Sequence, residues 1–318
     1  MAKELRLFFV TDIHASEVCF RKFLNAARFY ECDVIVMGGD MTGKMLVPIV
    51  ARANGNFSTR LFGKERLVPE AELPKLRKLI ADAGYYAYDT TPDEIEALEK
   101  DRGAVDLLFQ KAIGDMVARW LQLAEDRLKD SSTVCIMGPG NDDPDLVDEA
   151  LRDSSRVINP ESTVVELPGG FSMISVGYSN PTPWDSPREL PEDQLLLRIE
   201  TEAAKLPSMD RAIFNLHVPP KDTKLDQAPL LDAELRTVLK GGLPVITGVG
   251  STAVRTAIER HQPMLSLHGH IHESRGAVKL GKTTAVNPGS EYSEGVLRGA
   301  IITLSPEKGL KGYQMVAG

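Results

Sequence analysis

The order of apolar runs predicts an α/β protein built on two β-sheets. The chain opens strand, helix, strand: "LRLFFVTDIH" is an apolar run ending in Asp12 and His14, a helical-period stretch covers Ser16 to Tyr30, and "DVIVMGGDMTG" is a second short β-branched run. Apolar β-runs then crowd the second half of the chain with few helical intervals, which suggests two sheets rather than one. The runs also end in polar residues, and in open α/β sheets ligands bind beyond those C-terminal ends.

Between these halves the texture changes. "KMLVPIVARANGNFSTRLFGKERLV" carries an Asn-Gly turn, Asn54–Gly55, between β-rich runs, and mainly helix-forming sequence follows to Asp130. Residues 44–130 therefore read as an insertion, a β-hairpin plus helices, within a single domain spanning 1–318. It would serve as a cap or a dimer surface. Ile113, Met116, Val117, Trp120, Leu121, Ala124 and Leu128 recur at helical spacing and are expected to pack a core, which leaves little room for Trp120 as a substrate platform.

After the insertion come "STVCIMG", "STVVEL", "FSMISVG", "RAIFNLHV", "LPVITG", "PMLSLHG", "GAVKL", "TTAVNPG" and "GAIITL", each strand-like. Two helical intervals are expected, at 189–205 and 229–239. "ITGVGSTAVRTAIE" imitates a strand, a glycine turn and a helix, but no second βαβ half accompanies it, so dinucleotide binding is not inferred.

Composition removes several classes. Hydrophobic residues make up 42% and charged residues 26%, with no long uncharged apolar run, so neither disorder nor a membrane span is expected. A net charge of −8 opposes sequence-independent binding to nucleic acid or anionic membranes. Cys19, Cys32 and Cys135 are odd in number, scattered and set among apolar neighbours, as in reduced thiols, and a cytoplasmic location is expected. Composition does not decide whether the chain forms homo-oligomers.

Chemistry concentrates at strand ends. The chain has six histidines, and three of them, His268, His270 and His272, fall within "SLHGHIHESRG". Asp12 and His14 lie in "TDIHA", Asp40 in "GGDMT", Asn141 in "PGNDD" and His217 in "NLHVP". Each alone is an ordinary turn or core residue; together, each after an apolar β-run, they are hard to explain as independent turns. Carboxylate, imidazole and amide oxygen on one site suit a borderline divalent ion such as Mn, Fe, Zn, Co or Ni. Seven such groups over-supply one ion, whereas two ions about 3.5–4 Å apart use them all.

The ordered motifs DxH, GD, GND, H and GHxH resemble those of the calcineurin-like metallophosphoesterases, over a stretch reaching from Asp12 to "NPGS" at Asn287–Ser290. The resemblance implies an α/β four-layer sandwich of two mixed β-sheets flanked by helices. It implies one metal ion, manganese among the options, held by Asp12, His14, Asp40 and His272, and a second held by Asp40, Asn141, His217 and His270. Asp40 would bridge them. A metal-bridging hydroxide would then attack the phosphorus of a small or nucleotide-like phosphoester.

One departure matters. Many relatives read GNHD, with the histidine placed to protonate the leaving oxygen; here Asp142 stands in its place. Close to two cations Asp142 is expected to stay ionised and to be a poor acid, and a second carboxylate would repel a dianionic monoester more than a diester. A phosphodiesterase is therefore expected; a phosphomonoesterase and a non-catalytic scaffold of the same fold are the alternatives. His268, before Gly269 and outside the motif, is expected to support a ligand by hydrogen bonding or to be the missing acid. The Pro-rich "GYSNPTPWDSPREL" supplies Asn180, Trp184 and Arg188 as candidate substrate contacts, through stacking and phosphate pairing.

Overall fold

A computed structural model describes residues 3–53 and 55–318. The expected Asn54–Gly55 turn therefore falls partly outside the described residues, at Asn54. Two six-stranded mixed sheets form the centre. In the first, the strands Leu5–Val10, Val34–Met37, Val134–Met137 and Val157–Ile158 run parallel, and Arg298–Ser305 and Gly309–Ala317 close one edge antiparallel. In the second, Phe171–Val176, Ala212–Leu216, Leu265–Leu267 and Thr283–Asn287 run parallel between antiparallel edges Val165–Leu167 and Gly276–Leu280.

Side-chain alternation along these strands explains the layering. Leu5, Leu7, Phe9, Val34, Val36 and Ile136 point toward the second sheet and meet Phe171, Met173, Ile213, Leu265, Leu267 and Val286 in a dry core. Their neighbours Phe8, Val10, Ile35, Met37, Cys135 and Met137 point the other way, against the helices Glu17–Phe29, Arg102–Leu128 and Asp145–Arg152. On the opposite side Ile174, Val176, Phe214 and Leu216 receive the helices Glu192–Ala203 and Thr252–His261. Central strands buried on both faces read as continuous apolar runs, which is why "LFFV", "VIVM" and "VCIM" stand out in the sequence. The result is four layers, helix, sheet, sheet, helix.

The 44–130 segment is richer in strand than expected. The expected hairpin, Leu46–Ala51 with Asn56–Leu61, lies within a four-stranded sheet completed by Lys64–Pro69 and Tyr86–Thr90. The helix Leu73–Asp82 covers it, over a small core of Val47, Ile49, Leu61, Leu76 and Ile80. The long helix Arg102–Leu128 joins the main core instead: Trp120 is buried and stacked on Phe20, with ring centroids 4.1 Å apart, and is no substrate platform.

Residues 229–239, expected to be helical, form part of an extended arm, Gln227–Gly248, of two short antiparallel ribbons. Leu231, Leu235, Val238 and Leu239 have helical spacing, but Leu235 and Leu239 are exposed and Leu231 and Val238 only half-buried, so no surface lies beneath them to receive an amphipathic stripe. Backbone bonds from Val238 to Leu230 and from Val245 to Val238, and a turn held by Asp232, take the helical hydrogen bonds' place. Among the described residues no helix is long and apolar enough to cross a membrane.

Candidate metal centre

Five loops leave the C-terminal ends of parallel strands in the two sheets and converge. Asp12 and His14 follow Leu5–Val10, Asp40 follows Val34–Met37, and Asn141 follows Val134–Met137, all in the first sheet. His217 follows Ala212–Leu216 and the His268–His272 loop follows Leu265–Leu267, in the second. Main-chain bonds zip the loops together: Asp12 N–H donates to Gly39, His14 N–H to Asp40 and Gly269 N–H to His217.

The side chains gather in two overlapping groups. In the first, His14 Nε2 lies 3.2 Å from His272 Nε2, and the latter lies 3.4 Å from Asp12 Oδ1. His14 Nδ1 faces the Thr42 carbonyl at 3.1 Å, so the proton belongs on Nδ1 and the Nε2 lone pair points at the group. In the second, His217 Nε2 lies 3.4 Å from Asp40 Oδ2, and His270 Nδ1 lies 2.7 Å from Asn141 Oδ1. Asp40 Oδ2 is also 3.8 Å from His14 Nε2, which sets this carboxylate between the two. Asp12, His14 and His272, and likewise Asp40, His217 and His270, each bring ligand atoms within 4.8 Å of one another.

Two observations fit divalent cations here. Neither ring nitrogen of the fully buried His217 makes a well-formed hydrogen bond among the described residues, Nε2 having only the Asp40 carboxylate 3.4 Å away, a state that a cation at Nε2 would relieve. Backbone strain also concentrates here: Asp12, His14, Asp40 and His270 take φ of 54°, 39°, 50° and 65°, where non-glycine residues are uncommon. Gly269 permits the closest approach, because a Cβ there would collide with Thr11 Oγ1 and Asp12 Oδ2.

The electrostatics follow from burying acids and imidazoles together. Burial would raise the Asp12 carboxyl, but its bond to His272 and the charges of His217, His272 and His14 hold it far below the usual range. Asp40 is pushed up to about 6 by burial and by Asp142. Burial favours neutral His217, yet Asp40 and Asp12 outweigh it and raise that imidazole to about 9.

The surrounding shell fixes these groups. Asp143 is buried and accepts from the N–H groups of Met41, Thr42 and Gly140, tying the Asp40 loop to the Asn141 loop. Asn287 donates to the Gly269 and Ile271 carbonyls, and Ser290 donates to the Asp12 carbonyl at 2.6 Å, which gives "NPGS" a positioning task.

The structure places three of the sequence candidates. His268 is not an acid: it is fully buried, its Nδ1 lies 2.8 Å from the Leu216 carbonyl and 3.1 Å from that of Val218, and burial lowers it to about 4. A neutral imidazole there braces the backbone on either side of His217. Arg188 is not free for substrate, because its guanidinium is buried, pairs with Asp148 and donates to the Asp143 carbonyl at 2.6 Å. Asp142 is not an uncompensated carboxylate: Lys44 Nζ lies 2.6 Å from Oδ2, and Ser186 donates to Oδ1 at 2.8 Å. Although burial acts to raise its pKa, Lys44 and His14 hold Asp142 below the usual value, so it stays ionised and is a poor proton donor.

Trp184 is exposed on the same loop as Ser186, and Asn180 is half-buried, its Oδ1 without a partner among the described residues. Sequence reasoning missed Lys44, Ser186 and Tyr292, whose ring packs 4.7 Å from His14 and 5.9 Å from His272. The Gly-Lys just past Asp40 and the Tyr just past "NPGS" were the available signals.

No family model matches the chain. The uncharacterized protein MJ1162 of Methanocaldococcus jannaschii is 30% identical over 154 residues, which are 47% of this chain and 61% of that protein. One crystal structure, 15% identical, superposes over 99% of both chains with a TM-score of 0.55. TT1561 of Thermus thermophilus, 13% identical, does so over 99% of both chains at 0.53. At such identities the likeness is one of fold. The chain has an αββα sandwich fold in common with these structures, and its His/Asp clusters stand at the strand ends of that sandwich.

Two outcomes follow. If His217 takes a metal ion, the ion must displace the proton that Asp40 and Asp12 hold on it up to about pH 9, because a ligating imidazole is neutral. Calorimetry should find apparent Mn2+ affinity rising from pH 6.5 and levelling near pH 9; a flat profile would contradict the assignment. Arg188→Met leaves the buried Asp148 without its cation and with only the Asn159 amide at 2.6 Å, and should lower unfolding free energy in denaturant titrations by about 3–5 kcal/mol. A loss below about 1 kcal/mol, on the scale of exposed pairs, would argue against the buried clamp.

Proposed function

We propose that the protein is a dinuclear metal-dependent phosphoesterase that favours phosphodiesters of small or nucleotide-like molecules. The observation that carries this reading is the pair of His/Asp clusters joined by Asp40, with the fully buried His217, whose Nε2 lies 3.4 Å from Asp40 Oδ2, at their centre. Asp12, His14 and His272 would hold one ion with Asp40; Asn141, His217 and His270 would hold the other, again with Asp40. Bound there, a pair of divalent ions supplies Lewis acidity and an activated water. A donor set of imidazoles, carboxylates and one amide suits Mn, Fe, Zn, Co or Ni.

The chain's own residues set the substrate class. Asp12 and Asp40 offset two of the four charges that two divalent ions bring, and an anionic nucleophile offsets a third. One positive unit is left, which a phosphodiester anion balances and a monoester dianion exceeds. The Lys44–Asp142 pair adds no net charge, so the preference no longer depends on repulsion by Asp142, as the sequence alone suggested. Asp142 also gives no proton to a leaving oxygen, and His268 is braced elsewhere. Trp184 offers an exposed face for stacking a ring, and Asn180 a polar contact beside it.

The test is turnover by Mn2+-loaded protein of bis(p-nitrophenyl) phosphate and p-nitrophenyl phosphate. The diester kcat/KM should exceed the monoester value by about tenfold or more, the equivalent of about 1.4 kcal/mol in transition-state binding. Asp142→His should narrow that ratio, and His217→Ala should remove activity together with bound metal. A monoester preference in the unmodified protein would instead support a phosphomonoesterase. Absence of both metal and turnover would support a scaffold.

A further inference from the structure

Lys44 stands at the boundary where the 44–130 segment leaves the Asp40 loop, and nothing in the proposed metal assignment uses it. Its ammonium reaches back to the site, 2.6 Å from Asp142 Oδ2, and its charge acts on His14, His272 and Tyr292. The Lys44 side chain is 53% exposed and that of Asp142 18%, so the pair lies at the mouth of the site. Among the described residues Asp142 is the one hydrogen-bonding or ion-pair partner of Lys44. Two of its three N–H groups therefore have no protein acceptor among the described residues.

Asp142 is fixed more firmly than an ordinary surface carboxylate. Ser186 and Asn141 donate to its Oδ1 at 2.8 and 3.0 Å, and its own N–H donates to Asp40 Oδ1 at 3.0 Å. One end of this chain of bonds is the carboxylate shared by the two clusters, and the other end is the ammonium. The arrangement holds a permanently charged ammonium on a carboxylate whose own backbone N–H is bonded to Asp40, while exposed ion pairs in general contribute little to stability. A phosphoryl group at the candidate ligands would come to that same neighbourhood.

We propose that Lys44 is a substrate-binding residue which contacts a non-bridging oxygen of the phosphoryl group, and that Asp142 is the positioning residue that aims it. The inference rests on the phosphoesterase reading and adds the contact through which this chain grips the phosphate. It also gives Asp142 a task other than proton transfer. An ammonium contact present in both ground and transition states affects KM more than kcat. Removing the negative partner leaves Lys44 as an uncompensated cation, which favours a more highly charged phosphate.

The experiment compares Lys44→Met, Lys44→Arg and Asp142→Asn with the unmodified full chain. It measures bound Mn2+ per chain, the Kd of inorganic phosphate by calorimetry on the Mn2+-loaded protein, and kcat and KM for bis(p-nitrophenyl) phosphate and p-nitrophenyl phosphate. Lys44→Met should keep its metal, weaken phosphate at least tenfold and raise the diester KM similarly, with kcat within about threefold. Lys44→Arg should recover most of that loss. Asp142→Asn should bind phosphate as well as or better than the unmodified chain and shift turnover toward the monoester. If Lys44→Met keeps its metal and binds phosphate within twofold of the unmodified chain, the proposal is overturned while the phosphoesterase reading stands. Metal loss in both Lys44 variants would make the lysine structural and overturn it equally. An unmodified chain that takes up neither Mn2+ nor phosphate would overturn both.

Discussion

Asp12 and Asp40 are carboxylates buried almost completely at the ends of neighbouring parallel strands, and the rest of the site answers their charge. Two acids so close and so dry cannot both remain ionised without compensation. His217 and His272 supply part of it and drive Asp12 down, while burial and Asp142 push Asp40 up to about 6, and Asp40 and Asp12 raise His217 to about 9. Divalent ions between the carboxylates and imidazoles would supply the remainder and would take the place of the His217 proton. Local strain has the same origin. Four of the converging residues hold left-handed backbone because the loops must turn sharply to bring short side chains to one place.

The sandwich makes that convergence possible. Each sheet is buried on both faces, so its central strands are rigid apolar bars that need no functional residue inside them. Function is left to the loops past their ends, and the loops are cross-braced by groups that touch no candidate ligand atom with their own chemistry. Asp143 ties the Asp40 loop to the Asn141 loop, Asn287 holds the histidine loop, His268 braces the chain on either side of His217, and Arg188 clamps the Asp143 carbonyl against Asp148. The 44–130 segment joins this bracing through Tyr86, whose hydroxyl accepts from the Gly43 N–H at 2.7 Å, and through the Asp82 carbonyl, which accepts from Ser16.

The two-sheet architecture and the convergent residues were legible in the sequence for one physical reason: buried parallel strands are apolar throughout, so the first polar residue after each run marks a strand end. The final strand, Gly309–Ala317, gave no such signal, because its exposed edge position lets Lys311, Tyr313 and Gln314 interrupt the pattern. The arm at 227–248 misled because helical spacing of leucines reports amphipathicity only when a surface exists to receive it. Arg188 in a Pro-rich loop looked like a surface cation; its burial depends on Asp148, forty positions away, and on Tyr178, whose ring it overlies at 5.6 Å. Lys44 was passed over because its partner, Asp142, is more distant still in sequence. Periodicity and motif order are local properties, whereas ion pairing is decided by the fold.

The most direct measurement is crystallographic: anomalous diffraction at the manganese edge from crystals of the full chain grown with Mn2+. The account predicts two anomalous peaks about 3.5–4 Å apart, one among Asp12, His14 and His272, the other among Asn141, His217 and His270, with Asp40 touching both. A single peak, or peaks that leave His217 without a metal contact, would contradict it.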